Sequence, residues 1–275
     1  MDGALDLGIN FFDTAAAYRQ SEELLGRALA DVPRESYVLA SKCSLTATFQ
    51  GKEFLEPDAI LSQCDRSLER LGTDVIDVYQ LHGVQPDRYD ETIERFYPAL
   101  DKLRQQGKIR FTGITELFSI DPSHEMLKHA VASGLWDTIM VKYGILNQTA
   151  HHELFPLCLE HDVGVLNMAT VRVALATPEA LQQLIADWVE KGYVKAGELP
   201  ADDPLGWLMD ENTDNVVSAS YKFGAAPRAV STVLTGTANL QHLIENVEAI
   251  LGPPLPEAKM QRLVGLIGKI ADGGV

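Results

Sequence analysis

Cysteine is scarce in this sequence, basic charge is in deficit, and long apolar runs are missing. The three cysteines, Cys43, Cys64 and Cys158, are odd in number and lack metal-ligand spacing. They fit reduced, buried thiols better than a disulfide framework. Lys and Arg total 23 against 39 Asp and Glu, a formal charge of −16 with no basic stripe. That argues against nucleic acid or an anionic membrane as the main partner, so an anionic ligand must be held by local groups. No apolar run approaches the roughly 20 residues that span a bilayer, and no basic segment followed by an apolar one opens the chain. Neither a membrane span nor a secretory signal is read, and a cytoplasmic location is expected. What is present is 46% apolar and 23% charged, the balance of a soluble globular protein, here expected as one domain over residues 1–275.

Short apolar runs alternate with helical patterns along the chain. "INFF", "YVLAS", "DVIDVYQL", "IRFTGI", "DTIMVKY", "DVGVLNM" and "AVSTVLTG" are seven strand candidates. Helices are predicted over 21–30, 57–71, 89–106, 122–133, 149–161, 178–191, 215–223 and 240–250, most with apolar residues three and four apart. Strands apolar almost throughout and separated by single helices imply a parallel sheet covered by helices, hence the α/β class. An open doubly wound sheet would carry a Gly-rich fingerprint after its first strand, and none is present. The remaining architecture is a closed (β/α)8 TIM-type barrel, which needs eight strands where seven are read.

Such barrels place chemistry at the C-terminal ends of strands, so polar residues that end apolar runs carry the information. "INFF" runs into Asp13, "YVLAS" ends at Lys42 and "DVYQL" ends at His82, while Tyr18 lies in the turn before the first amphipathic helix. Each alone has an ordinary structural reading, as a cap, a surface cation, a core histidine or a rim residue. Together they suit one reaction. An ammonium at Lys42 is expected to lower the Tyr18 pKa and ready its proton, Asp13 to keep Lys42 charged, and neutral His82 to orient a carbonyl. With no Ser or Cys nucleophile paired with a base and no metal-ligand cluster, the other half of the reaction falls to a bound cofactor. Further on, the helix starting near Asn239 offers backbone N–H groups and its positive dipole end to a phosphate.

In order along the chain, "GINFFDTAAAY", "SEELLGRAL", "VLASKC", "SLERLGTDVIDVYQLHG", "LRQQGKIRFTGIT" and "VLTGTANLQHLIENVEAI" resemble the aldo-keto reductases. The resemblance implies a helix-lined barrel, an NAD or NADP cofactor, and a catalytic tetrad at Asp13, Tyr18, Lys42 and His82. It also implies that Gly236, Thr237 and Asn239 meet the adenosine phosphate and ribose, and that Glu245 and Asn246 meet the adenine. NADP users in the family grip the extra phosphate with cations at positions that match Gly236 and His242, so NAD is slightly favoured. The expected partner is a small carbonyl compound or sugar, and the branch with sugar 1-dehydrogenases such as the L-galactose dehydrogenases looks nearest.

The departures are specific. Thr115 and Glu116 stand where many members have Ser-Asn on the nicotinamide amide, and Thr115 can still donate. Met140 replaces a common Gln, and Met168, Ala169, Thr170, Val171 and Arg172 replace an aromatic ring followed by Ser-Pro-Leu. Arg172 faces a cofactor pyrophosphate or is a solvated rim charge, the two being evenly weighted. A catalytically weak binding or regulatory protein on the same scaffold stays open beside the oxidoreductase. Finally, Met1 falls in what should already be the first outer helix, "DGALDLG", so the first βα unit is expected to be largely missing. A start codon assigned too far downstream is favoured over a truncated gene, and the 275-residue chain is expected to be poorly soluble or weakly active.

Overall fold

A computed structural model describes residues 2–274; Met1, at the start of the expected outer helix, lies outside the described residues. The chain divides into two compact units.

The first unit runs to Leu117 and adds Glu125–Met140 and Glu160–Gly164. It opens with α1 (Asp2–Asp6), β1 (Phe11–Asp13), α2 (Ser21–Leu29), β2 (Val38–Cys43) and α3 (Ala59–Leu71). There follow β3 (Ile76–Val84), α4 (Tyr89–Gln105), β4 (Ile109–Glu116), α5 (Glu125–Ala132) and the start of β5 (Thr138–Lys142). The strands pair in chain order and in parallel, with Asp13 beside Ala40, Lys42 beside Gln80 and Gln80 beside Gly113. Gly113 has no side chain because Gln80 Cγ and Thr138 Oγ1 occupy the space a Cβ would need, at 2.7 and 2.5 Å. At the other end of the strands, buried Asp77 accepts from Arg34 and Arg110 at 2.6 Å each and from the Leu39 amide at 2.8 Å, so one carboxylate ties β2, β3 and β4 together.

The second unit holds Phe118–His124, Val141–Leu159 and the chain from Val165. Its elements are α6 (Leu154–Glu160), β6 (Gly164–Met168), α7 (Pro178–Glu190), α8 (Val216–Ala225), β7 (Val230–Val233), α9 (Leu240–Leu251) and α10 (Glu257–Ile267). β6 and β7 pair in parallel through Val165–Val230, Leu166–Thr232 and Asn167–Val233. Trp188 of α7 is fully buried and donates to Asp272 at 3.0 Å, which anchors the C-terminal segment.

All seven apolar runs form strands, and the described residues hold seven. Helix starts move for local reasons. The helix predicted from 122 begins at Glu125, because His124 sits at φ +59, which a right-handed helix cannot include. The one predicted from 149 is a single 3₁₀ turn over Thr149–His151 followed by α6. α10 has no counterpart among the helices expected from the sequence. No helix among the described residues is long and apolar enough to cross a membrane.

Candidate active site

Side chains alternate across a strand, so the register decides which polar residues share a face. Ala40 and Lys42 point the same way on β2, as do Gln80 and His82 on β3, and the pairings Asp13–Ala40 and Lys42–Gln80 align the three strands. Asp13, Lys42, Gln80 and His82 thus line one face of the first unit. Lys42 is almost fully buried; its Nζ donates to Asp13 Oδ2 at 2.5 Å and to the Thr14 carbonyl at 2.8 Å. Gln80 Nε2 donates to the other carboxylate oxygen at 3.4 Å, while Gln80 Oε1 is buried without a partner. Burial pushes the Lys42 pKa down, and the charges of Asp13 and Glu22 oppose that shift. Burial likewise raises Asp13, against the pull of Lys42.

Behind the strand, Ser41 points to the opposite face and donates to buried Glu22 of α2 at 2.6 Å, and Arg70 of α3 binds the same carboxylate. Gly26 of α2 lies so close to α3 that a Cβ would meet the Arg70 and Leu71 carbonyls at 2.6 and 2.7 Å. These contacts fix the start of α2 and hence the turn that carries Tyr18. The Tyr18 ring is 45% exposed, with Lys42 Nζ 5.0 Å from its centroid and the His82 ring edge-on at 5.7 Å. The structure therefore brings the four predicted residues together in one unit.

The electrostatics differ from the sequence-based expectation in one respect. Tyr18 is raised to about 12, by burial first and then by the charge of Asp13. The expected lowering by Lys42 is not seen; the charge that acts on the phenol is that of Asp13, 2.5 Å from the ammonium. His82 falls to about 4, by burial and then by the charge of Lys42, so its imidazole is neutral at pH 7. Its Nδ1 is buried without a partner.

His82 lies inside β3 and not at its end, since the strand continues to Val84 after a register break beyond Leu81. Gly83 takes φ +68, and its amide donates to Thr115 Oγ1 at 2.7 Å. Thr115 is buried within β4; its oxygen accepts from Gly83, and its hydroxyl proton is free to be donated. Two residues of this site had no clear signal in the sequence. Gln80 is a polar residue inside an apolar run, legible only once the period-two alternation with His82 is applied. Phe49, whose ring lies 5.0 Å from that of His82, comes from a loop with no pattern at all.

The predicted cofactor residues other than Thr115 lie in the second unit. Arg172 is partly buried, and its Nε is buried without a partner. Ala169, just after β6, takes φ +54, a strained conformation for a residue with a Cβ. Gly236 is exposed with open space where a Cβ would be. Thr237 Oγ1 accepts from the Asn239 amide at 3.1 Å, and Asn239 Oδ1 caps α9 by accepting from the Gln241 amide at 2.9 Å. His242 and Glu245 are exposed, Glu245 accepting from Gln241 at 3.1 Å. Asn246 instead faces inward, its Nδ2 donating to Thr235 Oγ1 at 2.9 Å. Among the described residues no group of three or more His, Cys, Asp or Glu side chains could hold a metal.

Comparison with known proteins identifies the family of the chain. The family model described as "Aldo/keto reductase family" matches residues 1–267. The chain belongs to the aldo/keto reductase family. It is 31% identical over 271 residues to the uncharacterized oxidoreductase YqkF of Bacillus subtilis (96% of this chain, 85% of that protein). It is 30% identical over 254 residues to the L-galactose dehydrogenase of Arabidopsis thaliana (90% and 75%). The holo form of aldo-keto reductase AKR11C1 from Bacillus halodurans superposes with a TM-score of 0.68 at 29% identity, covering 96% of this chain and 84% of that one. The fold is thus the (β/α)8 TIM type with seven strands in the described residues, and the protein is an NAD(P)-dependent oxidoreductase that interconverts a carbonyl and an alcohol.

Proposed function

We propose that Tyr18 is the proton donor and acceptor of this aldo/keto reductase, and that its substrate is a sugar or a small carbonyl compound. The observation that supports this most is the packing of the Tyr18 ring against both the Lys42 ammonium, 5.0 Å from its centroid, and the neutral His82 ring, at 5.7 Å. With its pKa near 12, Tyr18 stays protonated at neutral pH and is a ready donor to an alkoxide, which is a far stronger base than a phenolate. His82 offers a neutral N–H to orient the carbonyl oxygen, and Lys42 holds positive charge beside the oxygen that gains electrons. Asp13 and Gln80 keep the lysine in place. The nicotinamide, when bound, supplies or accepts the hydride.

Taken unit by unit, the residues whose chemistry suits that cofactor are Thr115 in the first and, in the second, Arg172, Gly236, Thr237, Asn239, His242, Glu245 and Asn246. The buried, unpartnered Nε of Arg172 fits an anionic group, as do the exposed first turn of α9 and the open space at Gly236. NAD is favoured, because neither Gly236 nor His242 supplies a fixed cation for a 2′-phosphate, and charge-assisted bonds are roughly twice as strong as neutral ones. Dissociation constants for the two cofactors check this: NADH should bind more tightly, and tighter NADPH binding refutes the preference. The sugar reading draws on the L-galactose dehydrogenase relative. The proton-transfer assignment is tested by Tyr18→Phe, which keeps the ring and removes the acid. Turnover should fall by roughly two orders of magnitude or more with cofactor affinity unchanged. Equal turnover in variant and parent refutes it.

A further inference from the structure

The turn that carries Tyr18 is strained and weakly capped. Arg19, the next residue, takes φ +52, a left-handed conformation that is costly for a residue with a Cβ. α2 then begins at Ser21 with no side chain capping its first amides. Such a turn keeps its shape only when the structure around it over-determines both of its ends. The near end is fastened to β2 around Lys42. The Thr14 amide donates to the Ala40 carbonyl at 2.9 Å, the Ala16 amide to the Lys42 carbonyl at 3.3 Å, and Lys42 Nζ returns to the Thr14 carbonyl at 2.8 Å. The far end rests on Glu22, in the first turn of α2. A carboxylate at that position is usually solvated and favoured by the helix dipole alone. Glu22 is instead 1% exposed, and both of its oxygens turn to other elements: one accepts from Ser41 Oγ of β2 at 2.6 Å, the other from Arg70 Nε of α3 at 2.7 Å. Ser41 and Lys42 are neighbours on opposite faces of one strand. The two clamps that span Tyr18 are therefore fastened one peptide unit apart.

We propose that Glu22 is a positioning residue for proton transfer: by binding Ser41 on β2 and Arg70 on α3 from the first turn of α2, it holds the Tyr18 ring in place against Lys42 and His82. This rests on the proton-transfer reading of the site and adds a residue that acts on Tyr18 through the chain. With Glu22 in place, the strain at Arg19 is trapped between two anchored ends. Without it, the far end is free to relax and the phenol moves, and a displacement of about 1 Å at a reacting group can cost about a hundredfold in rate.

Three variants test this. Ser41→Ala cuts the link to β2 alone, Glu22→Ala removes the brace, and Glu22→Gln keeps it, since an amide can accept from Arg70 and donate to Ser41. Each holoenzyme, loaded with NADH or NADPH in parallel runs, is assayed on 4-nitrobenzaldehyde. Relative to the parent, kcat should fall about tenfold in Ser41→Ala and about thirtyfold in Glu22→Ala with KM within about twofold, while Glu22→Gln stays within about threefold. A second readout needs no turnover. The nuclear Overhauser effect between the Tyr18 and His82 ring protons, in ring-labelled protein, should weaken in both alanine variants and persist in Glu22→Gln. A merely structural Glu22 would lower the melting temperature and leave the ring contact of the folded protein intact, and an unchanged contact overturns the proposal whatever the rate. Glu22→Gln as damaging as Glu22→Ala overturns it too, by making charge and not position the quantity that matters. If Glu22→Ala does not fold, Ser41→Ala decides. Should the parent reduce no probe, or Tyr18→Phe match the parent, the proton-transfer reading fails and the ring contact alone judges the brace: weakened in Ser41→Ala it supports the positioning role, unchanged it refutes it.

Discussion

His82 is neutral because burial and the Lys42 charge both penalise its protonated form, and that has a consequence for stability. The unfolded chain takes up a proton near pH 6.5, while the folded protein resists it down to about pH 4. Above pH 6.5 neither state is protonated and His82 has no effect. As pH falls from 6.5 towards 4 the unfolded state gains the proton alone, and stability is lost. Urea unfolding of the parent and His82→Asn at pH 7 and pH 4.5 should show the parent losing on the order of 1–2 kcal/mol more than the variant. Tyr18 gives a second dependence, this time on rate. Held protonated to about pH 12, it serves reduction across neutral pH but must first ionise to accept a proton in oxidation. Alcohol oxidation should therefore quicken steadily from about pH 7 to pH 10 while carbonyl reduction stays level over the lower part of that range; oxidation flat with pH would remove Tyr18 as the base. At this scale the sequence was informative wherever a polar side chain ended an apolar run, as Asp13, Lys42 and His82 do. It was silent on the sign of the Tyr18 shift, which depends on burial and on the charge of Asp13, itself held to Lys42 across 29 residues of chain.

β3 is the element on which the site depends most, and its register break is where the sequence was least legible. Seven apolar runs became seven strands because strands covered on both faces read as unbroken hydrophobic segments. Nothing in "VYQLHGV" announces that the ladder shifts between Leu81 and Val84 or that Gly83 must be left-handed to allow it. Gly83→Ala should cost about 1–2 kcal/mol from the backbone alone, with displacement of Phe49 in addition. A thermal melt equal to that of the parent would show that the strand end relaxes freely. α9 was legible for the opposite reason: its Asn239 cap is a local, four-residue signal that needs no partner strand. Asn246 on the same helix shows the limit, since which way its amide faces depends on Thr235, on another segment.

Charge acts on the whole molecule. At −16 the protein repels an anionic cofactor at long range, whatever groups receive it at close range. Stopped-flow association of NADH should speed up as ionic strength rises from about 10 to about 200 mM, over which the Debye length shrinks from about 30 Å to below 10 Å. A rate that falls with salt would mean a positive local field outweighs the total. The three thiols carry one more consequence. Cys43, Cys64 and Cys158 are all buried, and burial raises all three, Cys64 and Cys158 to about 12. Toward an alkylating reagent the folded chain behaves as though it had no cysteine, so each modification event records an excursion out of the native state. Two of these clocks tick in the first compact unit and one in the second. Mass spectrometry of the labelled peptides reads them separately, and a chain that opens as a single cooperative domain will show all three running at one speed.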